Sequence, residues 1–62
     1  MTRDEAYQAM REGKKVIHKY FDDHEYLCMK CGVILSEEGY NFEEGWKIRK
    51  GGFWETDWFV KS

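Results

Sequence analysis

Thr2-Arg3-Asp4-Glu5-Ala6-Tyr7-Gln8-Ala9-Met10-Arg11-Glu12-Gly13-Lys14-Lys15-Val16-Ile17 is the stretch that decides the fold. Thr2 and Glu5 have the spacing of a capping box, in which the threonine hydroxyl accepts from the Glu5 amide and the Glu5 carboxylate accepts from the Thr2 amide. Ala6, Ala9 and Met10 then fall on one helical stripe, leaving Arg3, Glu5, Gln8 and Arg11 free to face water. Gly13 is the stop, because glycine takes the left-handed conformation that closes a helix C-terminus, and Lys14-Lys15-Val16-Ile17 reads on as strand. A helix of this length does not stand alone in water, so it must lie over a sheet.

Beyond the helix the pattern is period two. Lys15 to Phe21 sets Val16, His18 and Tyr20 on one face and Ile17, Lys19 and Phe21 on the other, and either face can be the core. Asp22-Asp23-His24 is a loop. Tyr26 to Met29 and Val33 to Leu35 are two short strands joined through Lys30, Cys31 and Gly32 as a tight hairpin. Glu37-Glu38-Gly39 turns the chain again. Tyr40 and Phe42 alternate with polar residues, Trp46 and Ile48 alternate with Lys47 and Arg49, and Gly51-Gly52 marks the last turn before a strand from Trp54 to Val60. The expected fold is α+β: one N-terminal helix packed on a small antiparallel sheet of four to five strands, with residues 1–62 forming a single domain.

A chain of 62 residues buries only about 60% of the surface its unfolded form exposes, so its core needs a supplement. Two cysteines cannot make a disulfide scaffold. The supplement must then be a metal, a second copy or dense aromatic packing, and the 3 tryptophans and 4 phenylalanines supply large apolar surface for the last two. Trp54 to Val60, being last in the chain, is a candidate edge strand through which a homodimer would pair. A net charge of −2 argues against binding duplex nucleic acid, which needs a basic surface. The charge is nonetheless uneven. Arg11, Lys14, Lys15 and Lys19 cluster against Glu12 alone, while Glu37, Glu38, Glu43 and Glu44 form an acidic stretch. No apolar run approaches a membrane span, so no membrane association is expected, and the chain is placed in the cytoplasm with both thiols reduced.

Cys28-Met29-Lys30-Cys31-Gly32 is the most chemical-looking segment. C-x₂-C before glycine is half of a zinc knuckle, and His18 and His24 would have to complete it; the competing reading is a hairpin whose cysteines pack as small apolar groups. No metal and no cofactor are expected, and a zinc-knuckle nucleic-acid module using Cys28 and Cys31 is kept as the alternative. Catalytic residues are not evident: Ser36 and Ser62 sit in no G-x-S-x-G elbow, Asp22, Asp23 and Glu25 read as solvated loop acids, and Gly51-Gly52 lacks the helix and lysine of a phosphate loop. His18 is the best single polar candidate.

Glu5-Ala6 through Met10, Glu12-Gly13-Lys14-Lys15-Val16 with His18, Tyr20 and Phe21, then Ser36 to Phe42, Trp46 with Arg49, and Trp54-Glu55-Thr56-Asp57-Trp58 together resemble a group of small uncharacterised bacteriophage proteins. The helix-Gly-Lys-Lys-Val opening and the terminal Asp57-Trp58 are also distantly similar to phage Thoeris anti-defence sponge proteins. Those sponge proteins fold as a helix over an antiparallel sheet, oligomerise and sequester a cyclic ADP-ribose signal; the positions matched here are mainly structural and do not carry that ligand over. The resulting expectation is a non-enzymatic, counter-defence protein in the host cytoplasm that binds a bacterial defence protein or nucleotide signal. For a nucleotide, Lys14, Lys15, His18 and Lys19 would meet phosphate while Trp54 or Trp58 stacked on the base; for a protein, the same tryptophans would be interface anchors.

Overall fold

A computed structural model describes residues 1–61. The elements in chain order are α1 (Arg3–Arg11), β1 (Val16–His18), β2 (Leu27–Lys30), β3 (Val33–Ser36), α2 (Glu43–Ile48), a 3₁₀ turn (Gly52–Glu55) and β4 (Trp58–Val60). The strands form a four-stranded antiparallel sheet in the order β3-β2-β1-β4. The expected architecture, one main N-terminal helix on a small antiparallel sheet, is the one observed.

Both signals that bound α1 act as the sequence reads. Thr2 Oγ1 accepts from the Glu5 amide at 3.1 Å and the Thr2 amide donates to Glu5 Oε1 at 2.8 Å. At the other end Gly13 has φ +90°, and the Gly13 and Lys14 amides donate to the Met10 and Ala9 carbonyls. That is the two-bond closure of a Schellman motif, which a Cβ in this conformation would oppose. The stripe of Ala6, Ala9 and Met10 is buried, and it meets Val16, Leu27, Ile34, Trp46 and Trp58 in one cluster.

The β2–β3 hairpin pairs Lys30 with Val33 across the two residues Cys31 and Gly32, at φ +52° and +77°. Positive φ at both positions is the type I′ geometry whose twist suits adjoining strands. Cys31 is therefore a turn residue, at a place where Asn is the usual non-glycine occupant.

Three sequence expectations need correction. Residues 43–48 form a helix, although the alternation of Trp46 and Ile48 reads as strand. Only Trp46 of that pair is buried, and Ile48 points to solvent. The start signal was available: Asn41 Oδ1 accepts from the Glu43 amide, and Glu43 and Glu44 occupy the first turn, where carboxylates are favourable. The last strand is Trp58–Val60 rather than Trp54 to Val60, because Phe53 and Trp54 belong to the 3₁₀ turn. The first strand likewise stops at His18, short of Phe21.

The sheet edges are largely covered. Along β3, the Ile34 amide donates to Glu43 Oε2, the Ile34 carbonyl accepts from the Phe42 amide, and the Ser36 amide donates to the Tyr40 carbonyl. Along β4, the Trp58 amide donates to the Met1 carbonyl and the Trp58 carbonyl accepts from the Met1 ammonium at 2.7 Å. A second copy pairing at Trp58 would have to displace Met1, which is how edge strands are protected from unwanted pairing.

Candidate functional site

Two of the residues expected to contact a ligand are inside the molecule. Trp58 is 0% exposed and packs on Trp46 and His18, with ring centroids 5.1 and 4.8 Å away. His18 is 2% exposed. Its Nε2 lies 3.0 Å from the Phe53 carbonyl oxygen and 2.9 Å from that of Thr56, and its Nδ1 accepts from the Tyr20 amide at 3.1 Å. Carbonyls only accept and an amide only donates, so the bonding assigns the neutral Nε2–H tautomer, with both ring nitrogens committed to backbone. His18 thus holds the returning segment 53–56 against the sheet and has no lone pair or proton left for a phosphate or a metal. Trp54 is half-buried, 4.4 Å from the His18 ring, and its carbonyl accepts from Trp58 Nε1. Trp58 is thereby corrected from surface anchor to core, and His18 from phosphate ligand to structural pin.

The lysines separate as well. Lys14 pairs with Glu12 at 3.3 Å. Lys15 and Lys19 lie on the face of the sheet opposite α1, because they share the parity of Ile17 and not that of buried Val16 and His18. The register carries this face across the strands. Ile17 lies opposite Phe59, and Cys28 opposite Leu35. One step beyond the Val16–Val60 pair, the Lys61 amide donates to the Lys15 carbonyl at 2.8 Å, which places Lys15 and Lys61 side by side. Lys30 follows Cys28 on the same face of β2. No helix covers this side. Ile17, on a central strand, stays partly exposed, and Phe59 is 50% exposed.

Two rows therefore cross the strands side by side. One is cationic, with Lys61 on the β4 side, Lys15 on the β1 side and Lys30 at a diagonal on β2. The other is apolar, with Phe59, Ile17 and Tyr26. The Lys15 ammonium lies 4.7 Å from the centre of the Tyr26 ring, a cation–π contact that directs it over the sheet. Like charges directly opposite on adjacent strands destabilise a sheet. Among the described residues the ion pairs are Lys14–Glu12 and Lys47–Glu44, and no described carboxylate pairs with Lys15, Lys30 or Lys61. Lys19 sits at the margin, its amide bonded to the Asp57 carbonyl and its ammonium 5.8 Å from the Tyr20 ring.

Of the residues on this face, sequence reasoning names Lys15 and Lys19 as contacts and does not so name Lys30, Lys61 or Phe59. The signal for them was the alternation of Phe59 with Trp58 and Val60, once the buried member is known.

The cysteines do not converge with other ligands. Cys28 is on the helix-free face, Cys31 is exposed in the turn, and no three His, Cys, Asp or Glu side chains among the described residues could hold a metal. The loop acids also have a structural task. Asp22 Oδ1 accepts from the His24 and Glu25 amides at 2.8 and 3.0 Å, and the His24 amide is the main influence holding the Asp22 carboxyl below its ordinary pKa.

Comparison with protein-family models, curated proteins and solved structures finds no match. Function is therefore argued from the site. No helix among the described residues is long and apolar enough to cross a membrane.

Proposed function

We propose that this chain is a non-catalytic binding protein that acts by occupancy, holding a phosphate-bearing host component of the nucleotide class on the helix-free face of its sheet. One observation carries the reading: Lys15 and Lys61 stand directly opposite each other, with Lys30 near by and no ion pair to a carboxylate among the described residues, beside the exposed ring of Phe59. An unneutralised cluster costs stability and is repaid when an anion binds, and an adjacent aromatic face suits the base of a nucleotide. The reading keeps Lys15 and Lys19 of the expected contact set and replaces His18, Trp54 and Trp58 by Lys61, Lys30 and Phe59. A counter-defence role in the host cytoplasm is the biological setting that the phage resemblance suggests for such sequestration.

Calorimetric titration with ADP-ribose, ADP and adenosine tests it. The phosphate-bearing probes are expected to bind and adenosine to bind far less. The double variant Lys15→Gln/Lys61→Gln should weaken ADP-ribose by about tenfold or more, or about 1.4 kcal/mol. Binding of adenosine as tight as that of ADP-ribose, or unchanged affinity in the double variant, would contradict the reading.

A protein target is the second reading, favoured by a different observation. Tyr20 and Phe53, 61% and 54% exposed, meet edge to face at 5.0 Å on the flank of the His18 cluster. Exposed aromatic pairs of this kind serve as interface anchors.

A further inference from the structure

The helix-free face is longer than one nucleotide requires. Its cationic row, Lys61, Lys15 and Lys30, and its apolar row, Phe59, Ile17 and Tyr26, each reach across β4, β1 and β2. Two inter-strand spacings make the apolar row about 10 Å long, and the diagonal step from Lys15 to Lys30, about 7–8 Å, makes the cationic row longer. A mononucleotide would engage one end of each row and leave the remaining lysines uncompensated. A chain that runs across the strands engages both rows along their length, with its phosphates over the lysines and a base over the open ring of Phe59.

We infer that this face takes a segment of single-stranded nucleic acid longer than one nucleotide, its phosphates on Lys61, Lys15 and Lys30 and a base stacked on Phe59. The inference rests on the phosphate-binding reading above and names the length and class of its ligand. Three observations separate this occupant from others. Phe59 is a rigid, half-exposed ring on an edge strand, reachable by an unpaired base but not by one stacked inside a duplex. A second copy of the chain laid on this face would set its lysines against identical lysines. An acidic peptide would satisfy the charge but leave the aromatic row without a flat partner. The overall charge of −2 does not oppose the assignment, because Asp4 and Glu5 on α1, Glu12 at its C-cap and Glu43 and Glu44 on α2 lie away from the lysine row, and the acid that borders it, Asp57, stands beside Lys19.

The test is fluorescence anisotropy with labelled oligothymidylate of one, two, four and ten residues, the matching ten-base-pair duplex, and ADP-ribose as competitor. Affinity is expected to rise at least about tenfold from one residue to four. The ten-residue strand should outbind the duplex. With three phosphate contacts, log K against log salt should fall with a slope of about −2. Phe59→Ala should weaken the ten-residue strand by about fivefold or more. Lys61→Gln, a surface change that leaves the core untouched, should lower the salt slope by about 0.7. Circular dichroism would establish that both variants keep the fold.

If ADP-ribose binds through Lys15 and Lys61 but affinity does not rise with strand length, the inference is overturned and the nucleotide reading stands. If neither ADP-ribose nor any oligonucleotide binds, both are overturned. Unchanged affinity in folded Phe59→Ala overturns the assigned stacking role and with it the inference.

Discussion

His18 shows how a single residue can be legible in type and illegible in role. Its position between Ile17 and Lys19 on a strand is readable from alternation, and so is its polarity. Its three backbone partners are not, because Phe53 and Thr56 return to it from more than thirty residues further along the chain. Replacing it by leucine would keep much of the volume but leave the Tyr20 amide without its acceptor and two carbonyls without their donor. Each of these part-buried bonds contributes about 0.5–1.5 kcal/mol. His18→Leu is thus expected to lower stability by at least about 2 kcal/mol in urea denaturation, and a change below about 0.5 kcal/mol would show that segment 53–56 is held by other contacts. Cys31 makes the opposite case. It occupies a left-handed position that costs most L-residues about 1–2 kcal/mol and asparagine less, so Cys31→Asn is expected to raise stability by as much as about 1 kcal/mol. Loss of the fold in this variant, or on treatment with a chelator, would instead reveal a thiolate–metal centre.

At the scale of elements, α1 was fully legible because each of its signals is local: the cap, the stripe and the glycine stop lie within thirteen residues. The threonine cap also sets a pH dependence. The Thr2 backbone amide, bonded to the Glu5 carboxylate, is the main influence that lowers the Glu5 pKa. A carboxyl lowered in the folded state stabilises the fold above its ordinary pKa, and that contribution is lost as pH falls through the lowered value. Thr2→Ala is expected to cost about 0.5–2 kcal/mol at neutral pH. Glu5→Gln should flatten the acid limb of the stability profile in the same window; thermal melts from pH 7 to pH 3 check both, and a Thr2→Ala melting point equal to that of the parent would mean that the cap contributes nothing. Helix α2 reads as strand because six residues with one buried anchor satisfy period two as well as a helical turn, and the discriminating signals are Asn41 and the first-turn carboxylates of Glu43 and Glu44. The sheet carries a prediction of its own. Lys61→Glu turns a like-charged cross-strand neighbour of Lys15 into an oppositely charged one, and is expected to stabilise the protein by about 0.2–1 kcal/mol while weakening binding of phosphate-bearing ligands. A variant that loses stability, or that binds ADP-ribose undiminished, would contradict the role assigned to the pair.

For the whole molecule, composition and fold act together in a way that neither shows alone. A chain of 62 residues carries a small core, and here dense aromatic packing supplements it. Trp46 and Trp58 are buried, His18, Phe21 and Trp54 pack around them, and Arg3 lies over the Trp46 ring at 4.1 Å while its guanidinium donates to the Trp46 and Arg49 carbonyls at the end of α2. The aromatics that suggested surplus surface are thus largely spent on the core, and the edge offered for dimerisation is engaged by Met1 at Trp58. What remains outside is sorted by face. The sequence reading recognised Lys15 and Lys19 as part of a basic run but joined them to Lys14, their neighbour in sequence. The fold joins Lys15 to Lys61 instead, its neighbour across the sheet. That partnership depends on which face is core, and alternation alone leaves either face eligible. The most direct test of the site is a backbone amide NMR titration with the ten-residue oligothymidylate. Shift changes are predicted for Lys15, Ile17, Cys28, Lys30, Phe59 and Lys61, with Asp4 to Arg11 unmoved. Changes confined to Tyr20, Phe53 and Trp54 or to the α1 surface, or none anywhere, would contradict the account.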